Sequence, residues 1–191
     1  MNHQYLADLD KIVKGCLSGN RRDQELLYRR YSPRFYGLSL QYSGDTEEAR
    51  DILQESFIKI FENLGKFSHE GSFEGWMRRI VVNTALEKYR TKYYLTRVDD
   101  IEQSDEPEAE PDTEDFAGLE ASDLLNMIMS LPPKYRMVLN LYAIEGYSPK
   151  EIGEMLRISE GTSKSNLSRA RDILQRKVKS FSGITRRAVN V

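Results

Sequence analysis

Apolar residues in the first half of the chain recur every three or four positions, the period of an α-helix that buries one face. Leu53, Phe57, Ile60, Phe61 and Leu64 form one such stripe, extended backwards by Ala49 and Ile52, while Glu47, Glu48, Asp51, Glu55 and Glu62 lie largely off it. The pattern predicts an amphipathic helix with an acidic outer side. Its start falls at Gly44-Asp45, where Asp45 can cap the exposed amides and Glu48 sits three residues on; Gly65 supplies the stop. Upstream, Leu27, Tyr28, Tyr31, Phe35 and Leu38 predict a helix over residues 24–41 that Pro33 should kink or split. Residues 8–17 read as a shorter helix and residues 73–94 as a long one, following a loop. No run alternates with a period of two between turn signals, so no strands are expected.

The C-terminal half repeats the helical period with clearer punctuation. Leu124, Leu125, Met127, Ile128 and Leu131 lead to a break at Pro132-Pro133; Tyr135, Val138, Leu139, Leu141 and Tyr142 follow, closed by Gly146. Ser148 is a helix cap, Pro149 suits the first helical position, and Glu151 completes a capping box for a short helix carrying Ile152, Met155 and Leu156. That helix ends near Arg157-Ile158-Ser159. A last helix runs from Glu160 or Gly161 to about Lys179, with Leu167, Ala170, Leu174 and Val178 facing inward. A short capped helix, a tight turn and a longer helix make a helix-turn-helix. The expected fold is all-α: two small helical domains, a four-helix-type N-terminal domain and a helix-turn-helix C-terminal domain, joined by a flexible acidic linker. The boundaries read as 1–97, a linker at 98–122, 123–180, and a tail at 181–191.

Charge changes this picture more than composition does. The 28 Lys and Arg against 30 Asp and Glu give a net charge of −2, an average that conceals segregation. Residues 1–98 hold 16 bases and 13 acids, residues 99–123 hold 12 acids and no base, and residues 124–191 hold 12 bases and 5 acids. Two cationic bodies flank an anionic strap too poor in aliphatic residues to fold, and cationic bodies favour polyanionic partners. No apolar run is long enough to span a bilayer and the first residues lack the form of a signal peptide, so a cytoplasmic protein without membrane insertion is expected. Cys16 is the single cysteine, and His3 and His69 the only histidines, which leaves no disulfide and no ligand set for structural zinc. His69 beside Glu70 and Glu74 is more simply a solvated loop residue than a catalytic base, and no cofactor-binding motif occurs. The protein is read as binding without catalysis.

Two stretches carry candidate binding chemistry. The last helix opens with Ser163, Lys164, Asn166, Ser168, Arg169 and Arg171 around its inward face. Small polar and basic side chains near a helix N-terminus suit entry into the major groove, although a solvated basic face would look similar. In residues 73–97, Arg78, Arg79, Lys88, Arg90, Lys92 and Arg97 interleave with Trp76, Tyr89, Tyr93 and Tyr94. Cations that follow phosphates, mixed with rings that stack on unpaired bases, suit single-stranded nucleic acid; Trp76, four residues before Ile80, also fits a core position.

Taken in order, these stretches resemble a bacterial RNA polymerase sigma factor of the sigma-70 family, in its extracytoplasmic-function (ECF) group. The helix Asp51-Ile52-Leu53-Gln54-Glu55-Ser56-Phe57-Ile58-Lys59-Ile60-Phe61 looks like region 2.2, the stretch from Trp76 to Arg90 like regions 2.3 and 2.4, and residues 131–178 like region 4. The resemblance implies core RNA polymerase and promoter DNA, duplex and melted, as partners, with an anti-sigma factor commonly a third. It implies that Asp51, Gln54 and Glu55 dock on the clamp helices of the largest polymerase subunit, with Phe57 beneath the helix or in the contact. The loop from Phe67 to Phe73, with Phe73, Trp76, Arg79 and Asn83, would open the −10 element, while Lys88 and Arg90 hold its backbone. Ser163, Lys164, Asn166, Ser168 and Arg169 would read the −35 element. Many relatives carry an apolar residue at the position of Ser163 and Arg at that of Asn166. Asn suits adenine where Arg suits guanine, so a different −35 sequence is expected. The acidic linker would run through the polymerase channels or serve only as a spacer. A different class of protein shares the C-terminal features: a helix-turn-helix regulator whose N-terminal helices sense a ligand or dimerise. It leaves the acidic helix and the aromatic-basic helix unexplained.

Overall fold

The structure is a computed structural model that describes residues 3–68, 70–96 and 120–189. Among these residues there are eight α-helices, one 3-10 turn and no strand. They are α1 (His3–Leu17), α2 (Arg21–Tyr42), α3 (Thr46–Asn63), the 3-10 turn Leu64–Lys66, α4 (Phe73–Thr96), α5 (Ala121–Met129), α6 (Pro133–Ala143), α7 (Pro149–Leu156) and α8 (Glu160–Val189). The acidic linker falls almost wholly outside the described residues, as does His69 in the loop before α4. No described helix is long and apolar enough to cross a membrane. The chain divides into two compact units, Met1–Leu40 with Asp45–Lys88, and Gln41–Gly44 with Tyr89–Val191.

The first unit follows its periodicity with one correction. Asp45 is extended and accepts the Glu48 N–H at 2.7 Å, a cap that stabilises a helix start by about 1 kcal/mol. The stretch expected to kink or split at Pro33 is not split: α2 continues through it. Proline removes one ladder hydrogen bond, but Pro33 faces solvent, where water replaces that bond, and buried Tyr31 and Phe35 anchor the helix on either side. Helix α3 ends at Asn63, and Leu64 begins the 3-10 turn before Gly65 is reached. Ser72 starts α4, its hydroxyl accepting the Gly75 N–H at 3.0 Å and its carbonyl the Trp76 N–H at 3.0 Å. Leu27, Phe35, Ile52, Ile60, Met77 and Val81 are fully buried.

In the second unit α6, α7 and α8 pack on one another, with α5 against α8. Ser148 and Glu151 form the expected reciprocal box: the Glu151 carboxylate accepts the Ser148 N–H at 2.8 Å, and Ser148 Oγ accepts the Glu151 N–H. Gly146 turns the chain out of α6 at a φ of +78°, a conformation open to glycine without steric cost. Arg157 ends α7 at φ 56° and ψ 45°, the left-handed region, although it carries a side chain. Ser159 then caps α8, its Oγ accepting the Thr162 N–H at 2.9 Å. Helix α5 begins at Ala121, where the Glu120 N–H donates to the Asp123 carboxylate at 3.2 Å.

Candidate nucleic-acid and protein interfaces

Helix α4 divides its residues cleanly between core and surface. Phe73, Met77, Val81, Val82, Ala85 and Leu86 are buried, while Arg79 and Asn83 are exposed. Trp76, Arg79, Asn83, Glu87 and Arg90 follow one another at spacings of three and four, so they share one face of the helix. Trp76 is half-buried. Its ring lies 5.6 Å from Phe73 and 5.7 Å from Phe67, and Phe73 lies 6.1 Å from Tyr31. The string of rings continues through Tyr31, Phe35 and Phe57 to Tyr28, so the surface tryptophan rests on aromatic core. Phe73 itself is 6% exposed and belongs to that core, which removes it from direct contact with a strand. Sequence did not separate it from Trp76, because both are aromatic residues in the first turn of α4.

On α3, Asp51 and Gln54 are exposed and Glu55 is half-exposed. Phe57 is 3% exposed, packed between Tyr28, Phe35 and Phe61, so it supports the helix from beneath. Between these polar residues stands Ile58, 58% exposed and four residues on from Gln54. Its signal was present in the sequence as an apolar residue among the off-stripe positions. Glu55 is not isolated: it pairs with Lys59 at 2.9 Å and with Lys88 of α4 at 3.3 Å. The hydrogen bond from Lys59, followed by burial acting the other way and then by Lys88, holds its carboxyl below the usual carboxylate range. Lys88, expected on the DNA backbone, therefore lies with its ammonium against Glu55.

Helix α8 corrects the sequence reading most. Ser163 is fully buried and Asn166 is 7% exposed, so neither presents its side chain to a duplex, and an adenine preference cannot be carried by Asn166. The reason lies in the same periodicity that identified the inward face. Stepping back four residues from Leu167 and Ala170 lands on Ser163 and Asn166. The Ser163 hydroxyl has no hydrogen-bond partner among the described residues. Lys164 is exposed and pairs with Glu160 at 2.7 Å; Ser168 and Arg169 are half-buried on the side away from the core. Ser165, overlooked in the sequence, lies on that same side, with Oγ donating to the Thr162 carbonyl at 3.1 Å. Arg171 stacks its guanidinium 5.1 Å from the Tyr142 ring centre.

Cys16 is buried, and its thiol is pushed up to about 11, first by burial and then by the nearby Asp23 carboxylate. A thiol held protonated is a poor nucleophile, which argues against a redox switch there.

The family model for Sigma-70 region 2 matches residues 27–93, and that for Sigma-70, region 4 matches residues 121–174. The chain is 34% identical over 152 residues to the ECF RNA polymerase sigma factor SigE of Mycolicibacterium smegmatis, covering 78% of this chain and 59% of that one. It is 32% identical over 161 residues to the ECF RNA polymerase sigma factor SigW of Bacillus subtilis, covering 79% and 86%. Among solved structures, the sigma factor RpoE in complex with the anti-sigma factor NepR from Bartonella quintana aligns at a TM-score of 0.48 and 20% identity, over 83% of this chain and 98% of that one. The reading as a helix-turn-helix regulator is not favoured, since the region 2 match covers the helices that a sensing domain would occupy. With both regions matched in order on either side of the acidic strap, the chain belongs to the ECF group of the sigma-70 family, the RNA polymerase sigma factors that direct transcription to promoters.

Proposed function

We propose that this chain binds core RNA polymerase through α3, holds the melted −10 strand along α4 and reads the −35 duplex with α8, acting by binding alone. The observation that carries the reading is the α4 face. A half-exposed Trp76 seated on core rings lies in line with exposed Arg79 and Asn83, which joins a stacking platform to a donor for phosphate and a donor–acceptor for a base edge. Arg90 extends the line toward the strand backbone. On α3 the docking surface is Asp51, Gln54 and Glu55 around the solvent-facing Ile58, an apolar centre with a polar rim. On α8 the readers are Lys164, Ser165, Ser168 and Arg169, with Ser163 and Asn166 holding the helix to its core. Family membership supports an anti-sigma factor as a further partner.

Run-off transcription with purified bacterial core enzyme tests the whole reading. Initiation at a promoter that depends on added chain is the expected result, and its absence refutes the reading. Within it, Gln54→Lys combined with Glu55→Lys is expected to weaken polymerase binding tenfold or more, about 1.4 kcal/mol or above. Unchanged affinity removes α3 from the contact.

A further inference from the structure

The docking helix and the strand-binding helix share four charged side chains. On α3, Glu55 and Lys59 are one turn apart and paired at 2.9 Å. From α4, Glu87 Oε2 meets Lys59 Nζ at 2.5 Å, and Lys88 Nζ meets Glu55 Oε2 at 3.3 Å. The result is an alternating chain, Glu87, Lys59, Glu55, Lys88, with two carboxylates and two ammonium groups crossing between the helices. Lys59 is held above its usual range: burial acts to lower it, but hydrogen bonds from its ammonium to Glu87 and Glu55 outweigh that.

Two features separate this chain from an ordinary solvated ion cluster. It joins two different binding surfaces. Glu55 lies on the face assigned to polymerase, whereas Glu87 sits on the α4 face between Asn83 and Arg90, an acid in a row that otherwise suits phosphate. The alternation of sign also makes the ends respond together. A cation of the partner that takes the Glu55 carboxylate leaves Lys88 without that counter-charge and leaves Lys59 committed to Glu87. Both changes render α4 more cationic.

We propose that the Glu87–Lys59–Glu55–Lys88 chain couples polymerase docking to capture of the melted strand, by releasing the Lys88 ammonium to phosphate while Lys59 keeps Glu87 neutralised. The proposal rests on the assignments of α3 and α4 made above. Linkage requires the reverse as well: strand bound to α4 tightens docking by the same factor.

Fluorescence anisotropy with a labelled mixed-sequence DNA single strand and the full chain, without polymerase and over a salt series, tests the coupling. Glu55→Gln removes the charge that a docked partner would neutralise. It is expected to tighten strand binding about two- to fivefold, the range for one partly exposed ion pair, and to steepen the salt slope by about 0.7, one further cation on a single strand. Glu55→Ala removes the same charge and should give the same gain. Adding Lys88→Gln to either variant should abolish it. Unchanged affinity in both Glu55 variants, or a gain that survives Lys88→Gln, overturns the coupling. Arg79→Ala tests the underlying assignment separately: if it binds the strand as tightly as the unaltered chain, α4 is not the strand site and the assignment fails.

Discussion

The first unit runs a continuous string of rings through an otherwise aliphatic core, whereas helices α5 to α8 of the second bury aliphatic side chains. From Tyr28 through Phe57, Phe35, Tyr31 and Phe73 to Trp76, neighbouring ring centres lie 4.6 to 6.3 Å apart without a gap. The second unit instead buries Leu131, Met137, Val138, Leu141, Ile152, Leu156, Leu167, Ala170 and Val178. Its rings Tyr135 and Tyr142 lie beside the cations of Lys134 and Arg171. The contrast fits two kinds of nucleic acid. An unpaired base needs an aromatic surface held rigid from below, which the string of rings provides as it reaches the surface at Trp76. An intact duplex needs a straight helix at a set angle, which aliphatic packing and well-made caps provide without rings.

The largest test of this contrast attacks the two cores separately. Phe35→Ala should cost about 3–5 kcal/mol and Leu141→Ala about 2–5 kcal/mol, since each removes a fully buried side chain. Chemical denaturation measures the loss. Single-strand binding should fall with the first substitution and duplex binding with the second; if both activities fall together in either variant, the two units do not divide the work. Next in size is Ser163→Ala, which removes an unpartnered buried hydroxyl without adding volume and should stabilise the chain by about 1 kcal/mol. Selection of bound sequences from a random pool should return the same −35 preference as before. A changed preference would put Ser163 back among the readers. Arg157→Gly relieves a left-handed residue at the helix-turn-helix turn and should raise stability by about 1 kcal/mol, read from the unfolding midpoint. Lys164→Ala should leave stability within about 0.5 kcal/mol while making the salt dependence of duplex binding shallower by about 0.9 if its ammonium meets phosphate. An unaltered slope there places Lys164 at a base edge or off the DNA.

Local features were legible without coordinates because their causes are local. Asp45 caps α3, the Ser148–Glu151 box caps α7 and Pro132-Pro133 separates α5 from α6, each through contacts within four residues. Arg79 and Asn83 entered as strand-binding candidates through the family resemblance, and Trp76 also fitted a core position, so their shared exposed or half-exposed face became visible only with coordinates. Pro33 did not split α2, because buried Tyr31 and Phe35 hold the helix around it. Ser163 and Asn166 misled because their polarity was read as exposure. The periodicity of α8, carried back one more turn, had already turned them inward.

Unaided, the amino-acid order determined the helical content, the caps, the division into two bodies flanking an acidic strap, and the family. Those properties depend on spacing along the chain, and spacing is visible in a string of letters. Tertiary structure alone decided that Phe73 and Phe57 lie beneath their surfaces while Trp76 and Ile58 stand on them. It also brought Glu55 and Lys59 of α3 against Glu87 and Lys88 of α4. These partners are about thirty residues apart, and their pairing depends on the rotation of each helix about its own axis, which the packed core sets.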